Sequence, residues 1–378
     1  MNEDLRNLKP YPMVELARRK AALIARGVDV LDFGTGDPVE PTSPHIREAL
    51  AASVPEISQY PSILGLPELR GAFATWFAQR FDVELDPASE VLPTRGSKEA
   101  MFHLPLALVD PSEHKRKVVY PDPGYPVMSI GSMYAAADLH PIELSAANDY
   151  IMDPAAISAE VLDAARIVWL NYPHNPTGQD LPDGLWQAWV DAQAKHGFVL
   201  CSDECYTEIY TQARPRSVLQ YGRAGCLAFH SLSKRSGMTA YRSGMVAGDA
   251  EILARYRACR AAMGQAQTEW VQKASIAAWR DEQHVNERRA IFAEKRRILC
   301  EGFSALGLQV YPTTSTFYLW VSVPVGETDE SYAARLLEAS IVVSPGSMFG
   351  AANAGFFRVA LVPTPAGCRE ALERWASM

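Results

Sequence analysis

What this sequence lacks narrows its class before any motif is read. No apolar run approaches the roughly 18 residues that a membrane-crossing helix needs, so no membrane partner is expected. The start, MNEDLRNLKPYPM, has no long apolar stretch behind a basic one, so no secretory signal is expected. Positive charge is in deficit: 36 Lys and Arg against 44 Asp and Glu give a formal net charge of −8. That is a poor match to nucleic acid, whose phosphates call for a basic surface, although local basic pockets for small anions stay open. Cysteine is sparse and scattered, at positions 201, 205, 226, 259, 300 and 368, with no CxxC pair. Such thiols read as reduced and mostly buried, and the expected location is cytoplasmic. Cys201 and Cys205 are four apart, but no second pair or nearby His supports a metal, and none is assigned. Internal repeats, low-complexity tracts and long linkers are also missing, and the prolines are dispersed as turn markers.

What is present is an ordinary globular balance, 48% apolar and 21% charged, which excludes a disordered chain. Its 378 residues suit one large domain or two closely packed ones, with room for a core and a deep cleft. Short apolar runs at Lys117–Tyr120, Ile167–Leu170, Phe198–Cys201, Cys226–His230 and Gly244–Ala247 do not alternate with polar residues. Val91–Leu92 and His140–Leu144 are weaker runs of the same kind. This pattern predicts strands buried on both faces, as in a parallel sheet between helices. Segments 154–166 and 183–196 read as helices between them, the second with an apolar stripe through Leu185, Trp186, Trp189, Val190 and Ala194. Alternating strand and helix predicts an α/β doubly wound fold. After about residue 250 the pattern changes. A long helical stretch over about 251–279 and a charged helix over 286–306 are expected. The charge runs Glu287-Arg288-Arg289 and Glu294-Lys295-Arg296-Arg297 read as a solvated face. Strands at 317–323, near 341–344 and at 356–361, with a helix near 330–339, then predict a smaller α+β unit.

Ligands in open α/β sheets sit at the carboxyl ends of strands, and reactive residues cluster just there. Gly96-Ser97-Lys98 follows one run, Tyr125 another, Asn175-Pro176-Thr177-Gly178 a third, Asp203 and Tyr206 a fourth, and Ser231, Lys234 and Arg242 a fifth. Singly they stay ambiguous. Gly-Ser-Lys is an ordinary helix start as well as an anion cradle, and Asn-Pro-Thr-Gly is a good turn. A lone lysine or arginine is usually solvated. Asp203, at the end of an apolar run, needs a partner or water.

In this order and at these spacings, the residues resemble the class I/II aminotransferases, pyridoxal-phosphate (PLP) enzymes of fold type I. The resemblance runs from about Gly34 to Val362. It rests on Tyr60-x4-Gly65-x3-Leu69-Arg70, Gly96-Ser97-Lys98, Asn175-Pro-Thr-Gly178, Asp203-x2-Tyr206, Ser231-x-Ser233-Lys234-x7-Arg242 and Arg358. It implies a large domain with a mainly parallel seven-stranded sheet between helices, plus a smaller α+β domain. The expected divisions are an N-terminal arm, 1–38, joining the small domain, a large PLP-binding domain, 39–275, and a small C-terminal domain, 276–378.

The resemblance also implies roles. Lys234 would join PLP as a Schiff base, which needs a deprotonated amine, and would then move the proton between substrate Cα and cofactor C4′. Asp203 would pair with the pyridine nitrogen and keep the ring electron-accepting. Asn175 and Tyr206 would hydrogen-bond the phenolate oxygen, and Tyr125 would stack on the ring; a core tyrosine is the alternative for Tyr125. Ser97 and Lys98 amides, Ser231 and Arg242 would hold the phosphate, joined by Tyr60 from a neighbouring subunit. The sites would then be shared and the protein at least a homodimer. Arg358 would bind the substrate α-carboxylate as a fork, with Asn175 beside it and Gly36 leaving room for the ligand. His174 and His230 read as structural, because the lysine already serves for proton transfer.

Three stretches, Ser202–Tyr210, Ser231–Ser236 and Ala274–His284, are similar to the N-succinyldiaminopimelate aminotransferases of lysine biosynthesis. The implied reaction moves an amino group between N-succinyl-LL-2,6-diaminopimelate and 2-oxoglutarate. Met263–Trp270 lacks the arginine that aspartate-specific relatives place there, which disfavours a dedicated aspartate enzyme. Gln265 and Gln267 are either contacts for a long polar substrate or plain loop. A further basic group is expected at the cleft mouth for the anionic succinyl end. The rival readings are an aminotransferase for aspartate, alanine or an aromatic amino acid, a PLP C–S lyase, and a PLP-binding regulator. The regulator would need a DNA-binding domain, for which the roughly 35 residues before Gly34 are too few.

Overall fold

The computed structural model describes residues 12–378, with side chains from residue 18 onward. The chain begins with α1 (Pro12–Ala25), β1 (Leu31–Asp32), α2 (Pro44–Ala51) and α3 (Pro67–Phe81). Next come β2 (Val91–Thr94), α4 (Ser97–Leu108), β3 (Lys117–Asp122), α5 (Val127–Tyr134), β4 (Asp138–Glu143) and α6 (Ala159–Asp163). They are followed by β5 (Ala165–Asn171), α7 (Asp183–His196), β6 (Val199–Asp203), β7 (Cys226–Ser231), α8 (Leu232–Arg235) and β8 (Gly244–Gly248). The strands form one seven-stranded sheet in the order β2-β8-β7-β6-β5-β3-β4. The pairings among β3, β4, β5, β6 and β7 are parallel, and β8 runs antiparallel to both its neighbours.

The non-alternating apolar runs have a direct explanation here. Val168, Leu170, Leu200 and Ala228 enter the core on one face of the sheet. Their chain neighbours Ile167, Trp169, Cys201, Leu227 and Phe229 enter the core on the other. Successive side chains on a strand point to opposite faces, so burial of both faces removes the polar half of the pattern. Parallel register then lines up the carboxyl ends: Asn171 pairs with Asp203, and Asp203 with Phe229.

The rest comprises α9 (Ala250–Ala262), α10 (Glu269–Arg280), α11 (Gln283–Ala305), β9 (Tyr318–Ser322), α12 (Asp329–Glu338), β10 (Ile341–Val342), β11 (Ser344–Pro345), β12 (Phe356–Ala360) and α13 (Pro365–Ala376). β11, β12 and β9 make a three-stranded antiparallel sheet, and β1 pairs in parallel with β10. Leu31 and Phe33 share a core with α11, α12 and α13, so the segment before Gly34 packs on this smaller layer. The expected arm lies outside the described residues up to Tyr11. α10 runs through position 275, and Ala278 and Trp279 belong to the core of the large sheet. No helix among the described residues is long and apolar enough to cross a membrane.

Three expectations are corrected. The helical stretch over 251–279 is two helices, parted at Gly264, whose φ of 66° lies in the left-handed region that glycine tolerates. Segment 154–166 holds only a 3₁₀ turn and α6, because Ala165 and Arg166 already belong to β5. The charged runs of α11 are only in part a solvated face: Glu287, Glu294 and Arg297 are exposed, but Arg288, Lys295 and Arg296 are buried. Lys295 is fully buried, paired with Glu40 and donating to the carbonyls of Leu361 (3.0 Å) and Val362 (3.1 Å). Arg296 donates to the carbonyls of Thr313, Ser315, Thr316 and Tyr318 at 2.9–3.1 Å. Buried charges need partners, and these are supplied by the loop before β9 and the segment after β12.

Candidate active site

A cleft of about 610 Å³ opens where the carboxyl ends of β2, β3, β5, β6 and β7 meet the small sheet. Its wall brings together Gly36, Ser97, Lys98, Tyr125, Asn175, Asp203, Tyr206, Ser231, Lys234, Arg242 and Arg358. Tyr60 alone of the expected residues is elsewhere, with its side chain fully exposed on its own chain.

Asp203 ends β6 at the bottom of the cleft and is 3% exposed. Burial pushes its carboxyl up to about 6, against hydrogen bonds from Cys205. Asn171 Nδ2 donates to Asp203 Oδ2 at 3.1 Å, an alignment made by the β5–β6 register. Tyr206 is buried beside it. Burial, then the neighbouring Tyr318, raises its phenol well above the ordinary value. The two tyrosine hydroxyls are 3.1 Å apart.

One end of the cleft is built for an anion. Gly96 takes φ 80° before α4, and the first turn of this twelve-residue helix opens at the cleft, with Ser97 and Lys98 on its wall. A Cβ on Gly96 would lie 2.5 Å from Arg242 Nη2, so only glycine lets the guanidinium approach. Arg242 itself has φ 53° and is steadied by Nη1 donating to the Thr239 carbonyl at 2.8 Å. Ser231 caps the four-residue α8, accepting from Ser233 N at 3.1 Å, and so orients the turn carrying Lys234.

The other end is built for a carboxylate. Arg358, on β12, is 4% exposed. Its Nη1 donates to Asn175 Oδ1 at 3.0 Å and its Nη2 to the Gly34 carbonyl at 2.8 Å. Its Nε is buried without a hydrogen-bond partner. The guanidinium lies over the Tyr318 ring (4.3 Å) and the Phe349 ring (4.8 Å). Lys234 sits between the two ends. Its Nζ donates to the Gly36 carbonyl, and burial lowers its pKa, opposed by the nearby Tyr318 and Asp37. The absent side chain at Gly36 makes room for the Tyr318 hydroxyl, with which a Cβ would collide.

The family model for aminotransferase class I and II matches residues 28–374. The chain belongs to that family. It is 39% identical, over 99% of its length and 97% of the relative's, to an LL-diaminopimelate aminotransferase of Aquifex aeolicus. An aminotransferase structure from Neisseria meningitidis superposes with a TM-score of 0.91 at 36% identity, covering 100% of this chain and 99% of that one. A structure from Thermus thermophilus, described as a probable N-succinyldiaminopimelate aminotransferase, gives a TM-score of 0.87 at 28% identity, covering 96% and 98%. Aminotransferases of this family depend on PLP. The donor set fits that cofactor: a helix N-terminus with Arg242 suits a phosphate dianion, and a buried carboxylate suits a protonated ring nitrogen.

Other expected residues are placed as follows. His174 lies buried between Thr177 Oγ1 (2.8 Å) and the Pro123 carbonyl (2.9 Å), and burial lowers its pKa to about 4. His230 is enclosed by Phe73, Trp76, Phe77 and Phe81, with Nε2 3.1 Å from Glu204. Gln267 Nε2 donates to the Arg242 carbonyl at 3.1 Å, and neither it nor Gln265 lines the cleft. The basic side chains on the described cleft wall are Lys98, Lys234, Arg242 and Arg358, with Lys98 Nζ 6.0 Å from the centre of the Tyr125 ring. No further basic group lines the cleft among the described residues.

Tyr318 is a cleft residue that sequence reasoning missed, since FYLWVSV gives no sign that one of its buried aromatics also lines the cleft. It touches Tyr206, Arg358 and Gly36 at once. Tyr318→Phe keeps the ring under Arg358 and removes only the hydroxyl bond that helps hold up the Tyr206 pKa. The expected result is a turnover loss of about tenfold and a basic limb of the pH–rate profile displaced to lower pH. An unchanged profile would mean that the hydroxyl pair has no influence on the reaction.

Proposed function

We propose that this aminotransferase takes LL-2,6-diaminopimelate as amino donor and 2-oxoglutarate as acceptor. The observation that carries the reading is the charge pattern of the cleft. Arg358 offers a carboxylate fork with an unpartnered Nε, while Asp37 and Asp122 add carboxylates to the same wall. A free diaminopimelate presents an α-carboxylate to the first and a second ammonium to the others. Succinylation would turn that ammonium into a neutral amide and add a negative charge, which this wall does not favour. The Aquifex relative's name supports the same donor. The succinylated donor is the second reading, favoured by the Thermus structure's description and by the three sequence stretches noted above.

In this reading PLP supplies an electron-accepting ring and a carbon that takes up the amino group. Ser97, Lys98, Ser231 and Arg242 bind its phosphate, Asp203 holds a proton on its ring nitrogen, and Asn175 and Tyr206 bind its phenolate oxygen. Tyr125 covers the ring face. Lys234 holds the cofactor and moves the proton at substrate Cα. Arg358, with Asn175 and Gly36 beside it, orients the amino acid. Tyr60 serves a second copy of the chain. Its full exposure, with that of Val54 (62%) and Ile57 (78%) nearby, suits a surface covered in a homodimer.

The test is glutamate formation from 2-oxoglutarate by the PLP-loaded protein with parallel donors. Diaminopimelate, its N-succinyl form, aspartate, alanine and phenylalanine are supplied separately. Preference for free diaminopimelate is expected; preference for the succinylated form would install the second reading. A separate incubation with a cysteine thioether, releasing thiol, pyruvate and ammonia without an oxo acid, would mark a C–S lyase instead. Arg358→Lys replaces the fork by a point charge. It is expected to raise KM for the amino donor on the order of tenfold or more, with a smaller change in kcat. An unchanged KM would remove Arg358 from carboxylate binding.

A further inference from the structure

We propose that His45, Asp281 and His284 form a binding site for a divalent cation of the zinc class, separate from the cofactor cleft. One nitrogen of each histidine and one oxygen of Asp281 lie within 4.8 Å of one another. His284 Nδ1 is 2.5 Å, and His45 Nε2 3.7 Å, from Asp281 Oδ2. Ligand bonds of about 2.0–2.1 Å on a tetrahedral zinc set neighbouring donors about 3.3 Å apart. The two observed separations from Asp281 straddle that value, so modest side-chain rotations would admit the ion.

The outer contacts point the same way. The far nitrogen of each ring is tied to a hydroxyl, His45 Nδ1 to Ser43 Oγ and His284 Nε2 to Ser236 Oγ, each at 2.9 Å. A metal-bound histidine is normally oriented in just this manner through its second nitrogen. His45 Nε2 is screened from solvent yet has no hydrogen-bond partner, and 3.7 Å is too long for a bond to Asp281. The His45 side chain is 41% exposed, which leaves a route for an ion. Two imidazoles and one carboxylate leave a fourth position for water, a donor set that suits zinc.

The site joins parts of the chain that flank the catalytic turn. His45 opens α2, Asp281 lies between α10 and α11, and His284 is in the first turn of α11. Ser236 follows Lys234 by two residues, and Thr42 Oγ1 donates to the Gly237 carbonyl at 2.7 Å. A bound ion would therefore fasten α2 and the root of α11 to the segment behind the lysine.

The experiment uses PLP-loaded protein, stripped with EDTA, titrated with Zn²⁺ and desalted, with zinc counted by mass spectrometry. Wild type is expected to retain one zinc per chain and to melt at a higher temperature with zinc. His45→Gln, at a half-exposed position, is expected to bind on the order of 100-fold more weakly and to show no zinc-dependent rise, and Ser43→Ala about tenfold more weakly. Failure of the wild type to retain zinc, or equal retention by His45→Gln, would overturn the site.

Discussion

Lys234→Ala is expected to reduce turnover on the order of 10⁴-fold or more while the fold persists. In the proposed reading the amine, which stands between the two ends of the cleft, would move the proton. Asp203 would be the ring-nitrogen partner and Arg358 would be engaged at the carboxylate end, while His174 is held between the Thr177 hydroxyl and the Pro123 carbonyl. Burial lowers the pKa of Lys234 and so raises the fraction of free base. Little structure depends on the side chain. Its ammonium makes one hydrogen bond, to Gly36, and lies 5.1 Å from the Phe317 ring, while α8 is held by the Ser231 cap. Circular dichroism and the melting temperature should therefore stay near wild type as glutamate production disappears. Normal turnover in the variant would refute the assigned role.

Asp203→Asn is expected to cost roughly 10²- to 10³-fold in turnover. The amide keeps the shape and the neighbourhood of Asn171 but loses the charge that would stabilise a protonated ring nitrogen. The pH dependence gives an independent readout. In the cofactor-free chain burial raises this carboxyl from 3.8 to about 6. Between those values the folded chain holds a proton that the unfolded chain has released, so this group's contribution makes stability fall as pH rises through the window. Pairing with a cationic ring offsets that cost. PLP affinity is thus expected to weaken as pH drops through about 6, and the Asn variant should lack that inflection. Equal rates and a shared inflection would show that the carboxylate is not the ring's partner.

Much of the architecture was legible because it is local. Ile167–Leu170 reads as a buried parallel strand since both its faces are covered, and Asp183–His196 reads as a helix since its apolar stripe has the right period. The reactive residues were legible for a related reason. Gly96-Ser97, Asn175-Pro176, Asp203 and Ser231 to Lys234 stand at or shortly after the carboxyl ends of strands, where turn chemistry and ligand chemistry coincide.

The burial of Lys295 and Arg296 was not legible. A charged run at helical spacing looks the same whether it meets water or carbonyls, and the carbonyls of Leu361 and Val362 lie 66 and 67 residues from Lys295. Tyr318 was hidden too. It meets Tyr206 across 112 residues, and reaches Arg358 because β9 and β12 run antiparallel with Trp320 opposite Arg358. The His45, Asp281 and His284 cluster likewise spans α2 and α11. The sequence by itself therefore determined which chemical groups this aminotransferase carries and the strand ends that hold most of them. Only the tertiary structure decided which groups touch, because contacts between distant residues follow from sheet register and long-range packing, which local propensity does not encode.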